Sequence, residues 1–453
     1  MNLLGRLVGV AGDVVRAIAL QRVVLRLRPD HPRAAEDLQT ASSAIRSPTD
    51  AQIAFRRAID QEPDIGIHHR HPGSLEPFVR MDIVQAALEN ALALDPSHAL
   101  AQAALGNLHA RLGRYASALD AYSVAVMLDP NLPAVHLAVA ELLELVHDRD
   151  AARHRELALV QKRFYPAGAV SKNAQPRVLV LMAPGARSNM NAPLDFLVNH
   201  TRIALHRYYV RPNDPFDFSD SADYDVIFTA IDENESSREV IETCAKFIAS
   251  QSAPALNLPQ YLAGTARSVL GETLGGVAGC VVAQTRRVSR ALLESISPTA
   301  QAIDGIAFPL LLRPVDTHSG IGLQRLSEAS EINEYLQRFS SAHFNVATFE
   351  DYRSADGFYR KYRVIVIDGK PFAYHLAISP EWMVHYLSSP MLEHVWMREE
   401  EGRFLDAPDS VFANWNELFA KMAAAIGLDY FGVDCTLLED GRVLIFEAGP
   451  AML

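Results

Sequence analysis

The sequence predicts a multidomain protein: an N-terminal all-α helical-repeat solenoid, then an α+β part that opens with a small α/β unit. Three observations carry this. Prolines recur at a near-constant interval through the first 130 residues, each closing an apolar helical stretch. After Pro176 the apolar pattern turns into short continuous runs, as expected of buried strands. Two Asp-Gly dipeptides, at 368–369 and 440–441, then each separate a pair of strand-like segments. The expected boundaries are 1–165 for the helical repeats, 166–175 for a linker, 176–262 for the small α/β unit and 263–453 for the remainder.

Pro29, Pro63, Pro96 and Pro130 are spaced by 34, 33 and 34 residues. Val24, Ala58, Ala91 and Ala125 each stand five residues before one of them. A residue preceding proline is pushed out of the α region, so the phase marks recurring helix ends. The best copy runs from Ser97 to Pro130. Its Leu105, Gly106, Gly113, Tyr115, Ala118, Tyr122 and Ala125 stand where paired helices need a large residue, a close approach, a turn and small contacts. This copy resembles the tetratricopeptide repeat, a 34-residue unit of two antiparallel helices, and a weaker pair follows to about Tyr165. Stacked repeats leave a concave groove. The resemblance implies a peptide or protein partner there; the alternative is a brace packed on the next domain or on a second copy of the chain, as a homodimer. His68, His69 and His71 have no carboxylate or cysteine companion and read as a solvated loop.

The net charge of −12 argues against a phosphate-backbone binder of the nucleic-acid kind. The first 170 residues carry 18 basic and 19 acidic side chains, the rest 24 and 35, so the acidic excess lies in the α+β part. Cys244, Cys280 and Cys435 form no CxxC pair, which disfavours disulfides and zinc. The apolar N-terminus is interrupted by Arg6, Asp13 and Arg16, unlike a signal peptide, and no later run is long enough to span a membrane. A cytoplasmic protein without nucleic acid or membrane partners is the expectation.

Within the α/β unit, Arg177–Met182 and Asp225–Ala230 read as strands and Val240–Ala249 as a helix, with strands running parallel. For the hairpin about Asp440-Gly441, a two-residue turn makes opposed residue numbers sum to 881, which sets Asp434 against Glu447. Thr436, Leu438, Val443 and Ile445 are expected on the same face. Two close, partly buried carboxylates need a cation, a shared proton or an arginine. The spacing leaves a divalent metal and a neighbouring Arg or Lys equally open. The second hairpin, turning at Asp368-Gly369, puts Lys361, Arg363, Ile365 and Ile367 on one face. The apolar strand ending in Arg313 leads into a loop with Gly320 and Gly322, glycines that let backbone N–H groups approach an anion.

The order of cationic strand, glycine loop, second cationic strand and paired carboxylates resembles the ATP-grasp superfamily of ligases, over about residues 176–453. The motif-rich segments are NLPQYLAGTAR, FPLLLRPVDTHSGIGL, ATFEDYRSADGFYRKYRVIVIDGKPFAYHLAIS and FGVDCTLLEDGRVLIFEAGPAM. The resemblance implies an ATP-grasp fold preceded by its small α/β unit, with ATP and Mg²⁺ as cofactors and an amine attacking an acylphosphate made from a carboxylate. It assigns Arg267 and Arg313 to the ATP phosphates, and Asp316, Thr317, His318, Ser319, Gly320 and Gly322 to the lid over them. Phe349, Glu350, Asp351 and Tyr352 would form the adenine hinge and Asp356 would meet the ribose. Arg363 would bind the acylphosphate, and Asp434 and Glu447 would hold the metal. The chain departs from the family at Arg313, where Lys is usual, at Lys361, where many relatives have an acid, and at Gly449, where Asn is the usual third metal ligand. The stretch of His375, Trp382, His385 and Tyr386 lies beside the Arg363 hairpin and is given no role.

Overall fold

The structure, a computed structural model, describes residues 75–146, 148–167, 174–185, 190–199, 202–212, 216, 223–315, 317 and 320–452. The readings at Val24, Pro29, Ala58, Pro63, His68, His69 and His71 lie outside the described residues. The chain divides into two compact units, residues 1–179 with 194–209 and 217–224, and residues 180–193 with 210–216 and 225–453.

Helices α1 (Leu75–Leu94), α2 (Ala99–Arg111), α3 (Tyr115–Leu128), α4 (Pro133–Leu145) and α5 (Asp150–Gln161) begin the described part. Pro96 and Pro130 each fall two residues beyond a helix end, as the proline phase predicts. Gly113, at φ +70°, makes the turn from α2 to α3. A Cβ on Gly106 would stand 2.4 Å from the Tyr122 ring, so the bare backbone of α2 is what lets α3 approach. The Tyr122 hydroxyl donates to Asn107 Oδ1 at 2.6 Å, so burying the ring leaves its polar atom satisfied. Ala118 and Ala125 are fully buried, whereas Tyr115 remains on the surface.

Next come β1 (Phe164–Tyr165), β2 (Arg177–Met182), β3 (Ala204–Tyr209), β4 (Val226–Thr229), α6 (Arg238–Ala249) and β5 (Ala255–Leu256). β4 runs parallel to β5, with Ile227 opposite Ala255, and β1 runs antiparallel to β3. The sequence reading missed β3: His206 and Arg207 interrupt its apolar run, yet both are buried.

The second unit continues with β6 (Cys280–Val282), β7 (Thr285–Ser289), β8 (Leu310–Pro314), β9 (Gln324–Leu326), α7 (Ile332–Arg338), β10 (His343–Thr348), β11 (Tyr359–Ile367), β12 (Lys370–Ser379), α8 (Val395–Asp406), α9 (Trp415–Ile426), β13 (Tyr430–Leu437) and β14 (Val443–Gly449). One sheet has the order β9-β8-β10-β7 and another β12-β11-β13-β14-β6. In β8, Leu310 and Leu312 enter a core with Val288, Tyr335, Phe344 and Val346, which turns Arg313 to the other face. In the larger sheet, Tyr362, Val364, Val433, Cys435, Val443 and Ile445 pack with Phe404, Phe412, Trp415 and Phe419 of the helical layer. The opposite face is left for Lys361, Arg363, Asp434 and Glu447.

The two Asp-Gly hairpins differ. At 368–369 both residues have positive φ and Ile367 pairs with Lys370, the expected two-residue turn. At 440–441 only Gly441 has positive φ. Leu438 donates to the Arg442 carbonyl at 2.8 Å, so the loop holds three residues. That shifts the register by one, and Cys435 faces Ile445. Phe446 then bulges out of β14 and shifts it back, so Asp434 does face Glu447. The bulge also corrects the face assignment. Leu444, opposite Thr436, lies on the carboxylate face, while Val443 and Ile445 lie in the core.

Gly106→Val should drive a branched side chain into the Tyr122 ring and cost about 1–3 kcal/mol. A lowered melting temperature in calorimetry checks this; an unchanged melt would contradict the close α2–α3 approach.

Candidate functional site

The site face grows from the strand register. Arg363 stands opposite Asp434 across β11–β13, and Asp434 stands opposite Glu447 across β13–β14. Arg363 reaches Asp434 with both arms of its fork, Nε to Oδ1 at 2.6 Å and Nη2 to Oδ2 at 2.9 Å. Lys361, two residues earlier on the same face, places Nζ 3.0 Å from Oδ2. The Asp434 side chain is only 1% exposed. Burial pushes its carboxyl up, and Lys361 and Arg363 outweigh burial to hold it well below the usual carboxylate range.

Glu447 is half-buried and accepts from Arg267 Nη2. Burial raises its carboxyl and Asp434 adds to that, but Arg267, Arg313 and Lys361 bring it below its ordinary value. Arg267 is carried by the NLPQYLAGTAR segment, whose Asn257 is pinned to the start of β13. The Asn257 backbone N–H donates to Asp429 Oδ2 at 2.7 Å, and its side chain exchanges two 2.8 Å hydrogen bonds with the Tyr430 backbone. Asn257 does this in the left-handed region, at φ +51°. Leu262, in the following helical turn, is buried in the main core.

Arg313 donates to Thr317 Oγ1 at 3.2 Å and to the Thr317 carbonyl. Burial, then Arg267, lowers its guanidinium. The Thr317 hydroxyl donates to the Pro314 carbonyl at 2.8 Å. At the loop's far end Tyr335 donates to the Gly322 carbonyl at 2.7 Å. A Cβ on Gly322 would stand 2.6 Å from Pro314 Cδ, so the loop folds back onto its own strand at a position with φ +70°. Gly320 also has positive φ. Asp316, His318 and Ser319 lie outside the described residues.

The sequence-expected residues fall into three groups. Arg267, Arg313, Arg363, Asp434 and Glu447 act on one another, with Lys361 among them. Phe349 and Tyr352 join a separate aromatic cluster. The Arg325 guanidinium lies 4.1 Å from the Phe349 ring centroid, Trp382 meets Phe349 edge-on, and Tyr352 donates to the Trp382 carbonyl. Glu350 and Asp351 are exposed beside it. Asp356 is gripped by Arg360, Nη1 to Oδ1 at 3.0 Å and Nη2 to Oδ2 at 2.7 Å, and Arg360 also holds Glu400.

One residue enters that the motifs did not name, Asp232, and one that was named without a role, His375. A Cβ on Gly449 would stand 2.9 Å from Asp232 Oδ1, so this carboxylate sits where any larger residue at 449 would project. Burial, and then Glu447, pushes Asp232 up to about 7, against the pull of Arg267. Its one sequence signal was position: a carboxylate just past the C-terminal end of a buried strand. His375 pairs with Arg363 in the β11–β12 register, and burial, then Arg363, pushes it down to about 4.

Of the two outcomes that the spacing of Asp434 and Glu447 left open, the structure displays the ion-paired one. Both Asp434 oxygens and Glu447 Oε2 already accept from cations. Among the described residues, no group of three or more His, Cys, Asp or Glu stands so as to hold a metal ion. So paired, these residues do not fit a magnesium ion, which would have to displace Arg363 or Lys361 to reach an Asp434 oxygen. They do fit an anion: four cations, Arg267, Arg313, Lys361 and Arg363, surround two ionised carboxylates and leave a positive excess.

Residues 85–133 match the tetratricopeptide repeat family. A search of curated proteins found no match. Solved structures with a similar chain path include a RimK-domain ATP-grasp protein from Sphaerobacter thermophilus, at 16% identity and a TM-score of 0.35, over 60% of this chain and 90% of that one. The VanG D-Ala:D-Ser ligase from Enterococcus faecalis is similar at 12% identity and a TM-score of 0.39, over 61% of this chain and 90% of that one. N5-carboxyaminoimidazole ribonucleotide synthetase from Thermotoga maritima follows at 11% and 0.34, over 61% and 68%. The tetratricopeptide repeat named from the sequence is the family that residues 85–133 match. The multidomain class, helical repeats and then α+β, holds for the described residues. No helix among them is long and apolar enough to cross a membrane.

Because Asp232 binds its proton more tightly folded than unfolded, it contributes stability that is present at low pH and lost as pH rises between about 4 and 7. Asp232→Asn should flatten the melting temperature over that interval. An unchanged slope in melts from pH 4 to 8 would contradict the burial of this carboxylate beside Glu447.

Proposed function

We propose that the α+β part is an ATP-grasp ligase domain that activates a carboxylate with ATP and joins it to an amine. The observation that carries this reading is the convergence of Arg267, Arg313, Lys361 and Arg363 on one face, beside a loop with two positive-φ glycines. Phosphoryl transfer makes small acid–base demands and large demands for charge neutralisation, and a cluster of partly buried cations is suited to those. In the reaction, a carboxylate oxygen attacks the γ-phosphorus and the bond to the bridging oxygen of ADP breaks. The amine then attacks the acyl carbon, phosphate leaves, and the amine's proton passes to solvent. Arg267 and Arg313 would hold the polyphosphate and Arg363 the acylphosphate oxygens. The segment of Phe349, Glu350, Asp351 and Tyr352 would present the backbone groups that read adenine.

In this reading the helical repeats supply a groove for a peptide or protein, either the substrate or the partner that brings it. Packing of small residues against aromatic ones, such as Gly106 against Tyr122, builds such a stack and leaves its concave side for a ligand.

A second reading, favoured by Gly449 and by the ion-paired carboxylates, is a nucleotide-binding scaffold that has lost ligase chemistry. ADP release that depends on a carboxylate and an amine excludes it.

Full-length protein should melt at a higher temperature with ATP than without. Ligand at 100 times its dissociation constant stabilises by about 2.7 kcal/mol, a shift of a few degrees. Arg313→Ala should remove most of that shift. No shift at millimolar ATP in the unsubstituted protein would sink the nucleotide reading.

A further inference from the structure

Position 361 is where the chain departs furthest from what a metal-binding carboxylate pair requires. Its ammonium lies 3.0 Å from Asp434 Oδ2, the same oxygen that accepts from Arg363 Nη2 at 2.9 Å. The other oxygen, Oδ1, accepts from Arg363 Nε at 2.6 Å. A divalent cation binding Asp434 would have to displace a bidentate guanidinium and an ammonium from a side chain that is 1% exposed. It would also come to rest among four positive side chains. A small hard cation completes its shell with waters and phosphate oxygens but still needs carboxylate oxygens to anchor it, and here both Asp434 oxygens are held by cations and Gly449 offers no side chain. Asp232, which fills the space beside Gly449, lies on the side of Glu447 and Arg267.

We infer that Lys361 takes the metal's electrostatic place: this site grips nucleotide phosphates through Lys361, Arg363, Arg267 and Arg313, with no divalent ion bound to Asp434 or Glu447. The inference rests on the nucleotide reading above. An ammonium can supply charge to a phosphate oxygen but cannot share a coordination shell between phosphate and carboxylate. Lys361 is therefore a binding residue that works through Asp434 as its fixed counter-ion, while the metal-free pair of carboxylates serves to position the cations.

The test uses the full chain and two probes, ATP and Mn²⁺. Calorimetric titration with ATP in EDTA should give an affinity within about threefold of that with excess Mg²⁺, and less than the tenfold that corresponds to about 1.4 kcal/mol. Mn²⁺ added to the nucleotide-free protein should keep the paramagnetic resonance signal of the free aqueous ion. Lys361→Glu removes a cation and adds an acid, so it should weaken ATP binding in EDTA by about tenfold or more and create Mn²⁺ binding. Lys361→Met, which keeps the length without the charge, should weaken ATP binding without creating a metal site, and it serves should the Glu variant fail to fold. If ATP binds only when Mg²⁺ is supplied, or if unsubstituted protein binds Mn²⁺ and Asp434→Asn abolishes that binding, the inference falls while the nucleotide reading stands. If ATP binds under neither condition, both fall.

Discussion

A carboxylate that is almost wholly buried on a sheet face, as Asp434 is, can stay ionised only if charge of opposite sign is built in around it. Arg363 supplies that charge with two hydrogen bonds and Lys361 with a third contact. Both must come from the same strand face, two residues apart, and both must meet Asp434 in one register. The alternation of β11, the pairing of β11 with β13 and the choice of which face meets the helical layer are therefore tied to one electrostatic requirement. A slip of one residue would send Lys361 and Arg363 into the core and Tyr362 and Val364 into the site.

The larger sheet thus has two chemically distinct sides. Toward α8 and α9 it presents a continuous apolar surface that meets Phe404, Phe412, Trp415 and Phe419. The other side carries the charges, with Tyr352, Tyr359, Ala377, Val384 and Leu444 packed as a small apolar cluster. Rigid packing on one side gives the charged residues fixed positions, and fixed positions let a charge cluster bind an anion without reorganising. The glycine loop is arranged similarly, tethered by Arg313 at Thr317 and by Tyr335 at Gly322.

Much of the site was legible beforehand. Arg363, Asp434 and Glu447 could be placed by counting outward from two turns, because side chains alternate with a period of two and the turns are short. From Asp368-Gly369 the count holds as far as Val364 opposite Ala373; a bulge at Tyr374 then sets Arg363 against His375, while the alternation within β11 keeps Arg363 on its expected face. At Asp440-Gly441 it reached the right pair through two deviations that cancel, a three-residue loop and a bulge at Phe446. Arg267 could be named only by resemblance, since what carries it to Glu447 is the long-range docking of Asn257 on the Tyr430 backbone. Asp232 went unnamed because position just past a buried strand was its one signal in the sequence; its place in the site comes from lying against a glycine 217 positions away in the chain.

By itself the sequence determined the helical repeat phase, the change to α+β, the two hairpins and the identities of the charged residues on one strand face. These follow from local rules: proline ends helices, alternation sorts faces, and Asp-Gly turns chains. Tertiary structure alone decided what neutralises the paired carboxylates. Spacing shows that two acids must meet, but which cations reach them depends on elements far apart in the chain, and the energy of a buried charge is set by what surrounds it. The chain surrounds Asp434 with Arg363 and Lys361 and Glu447 with Arg267, and that arrangement leaves the face with more positive than negative charge.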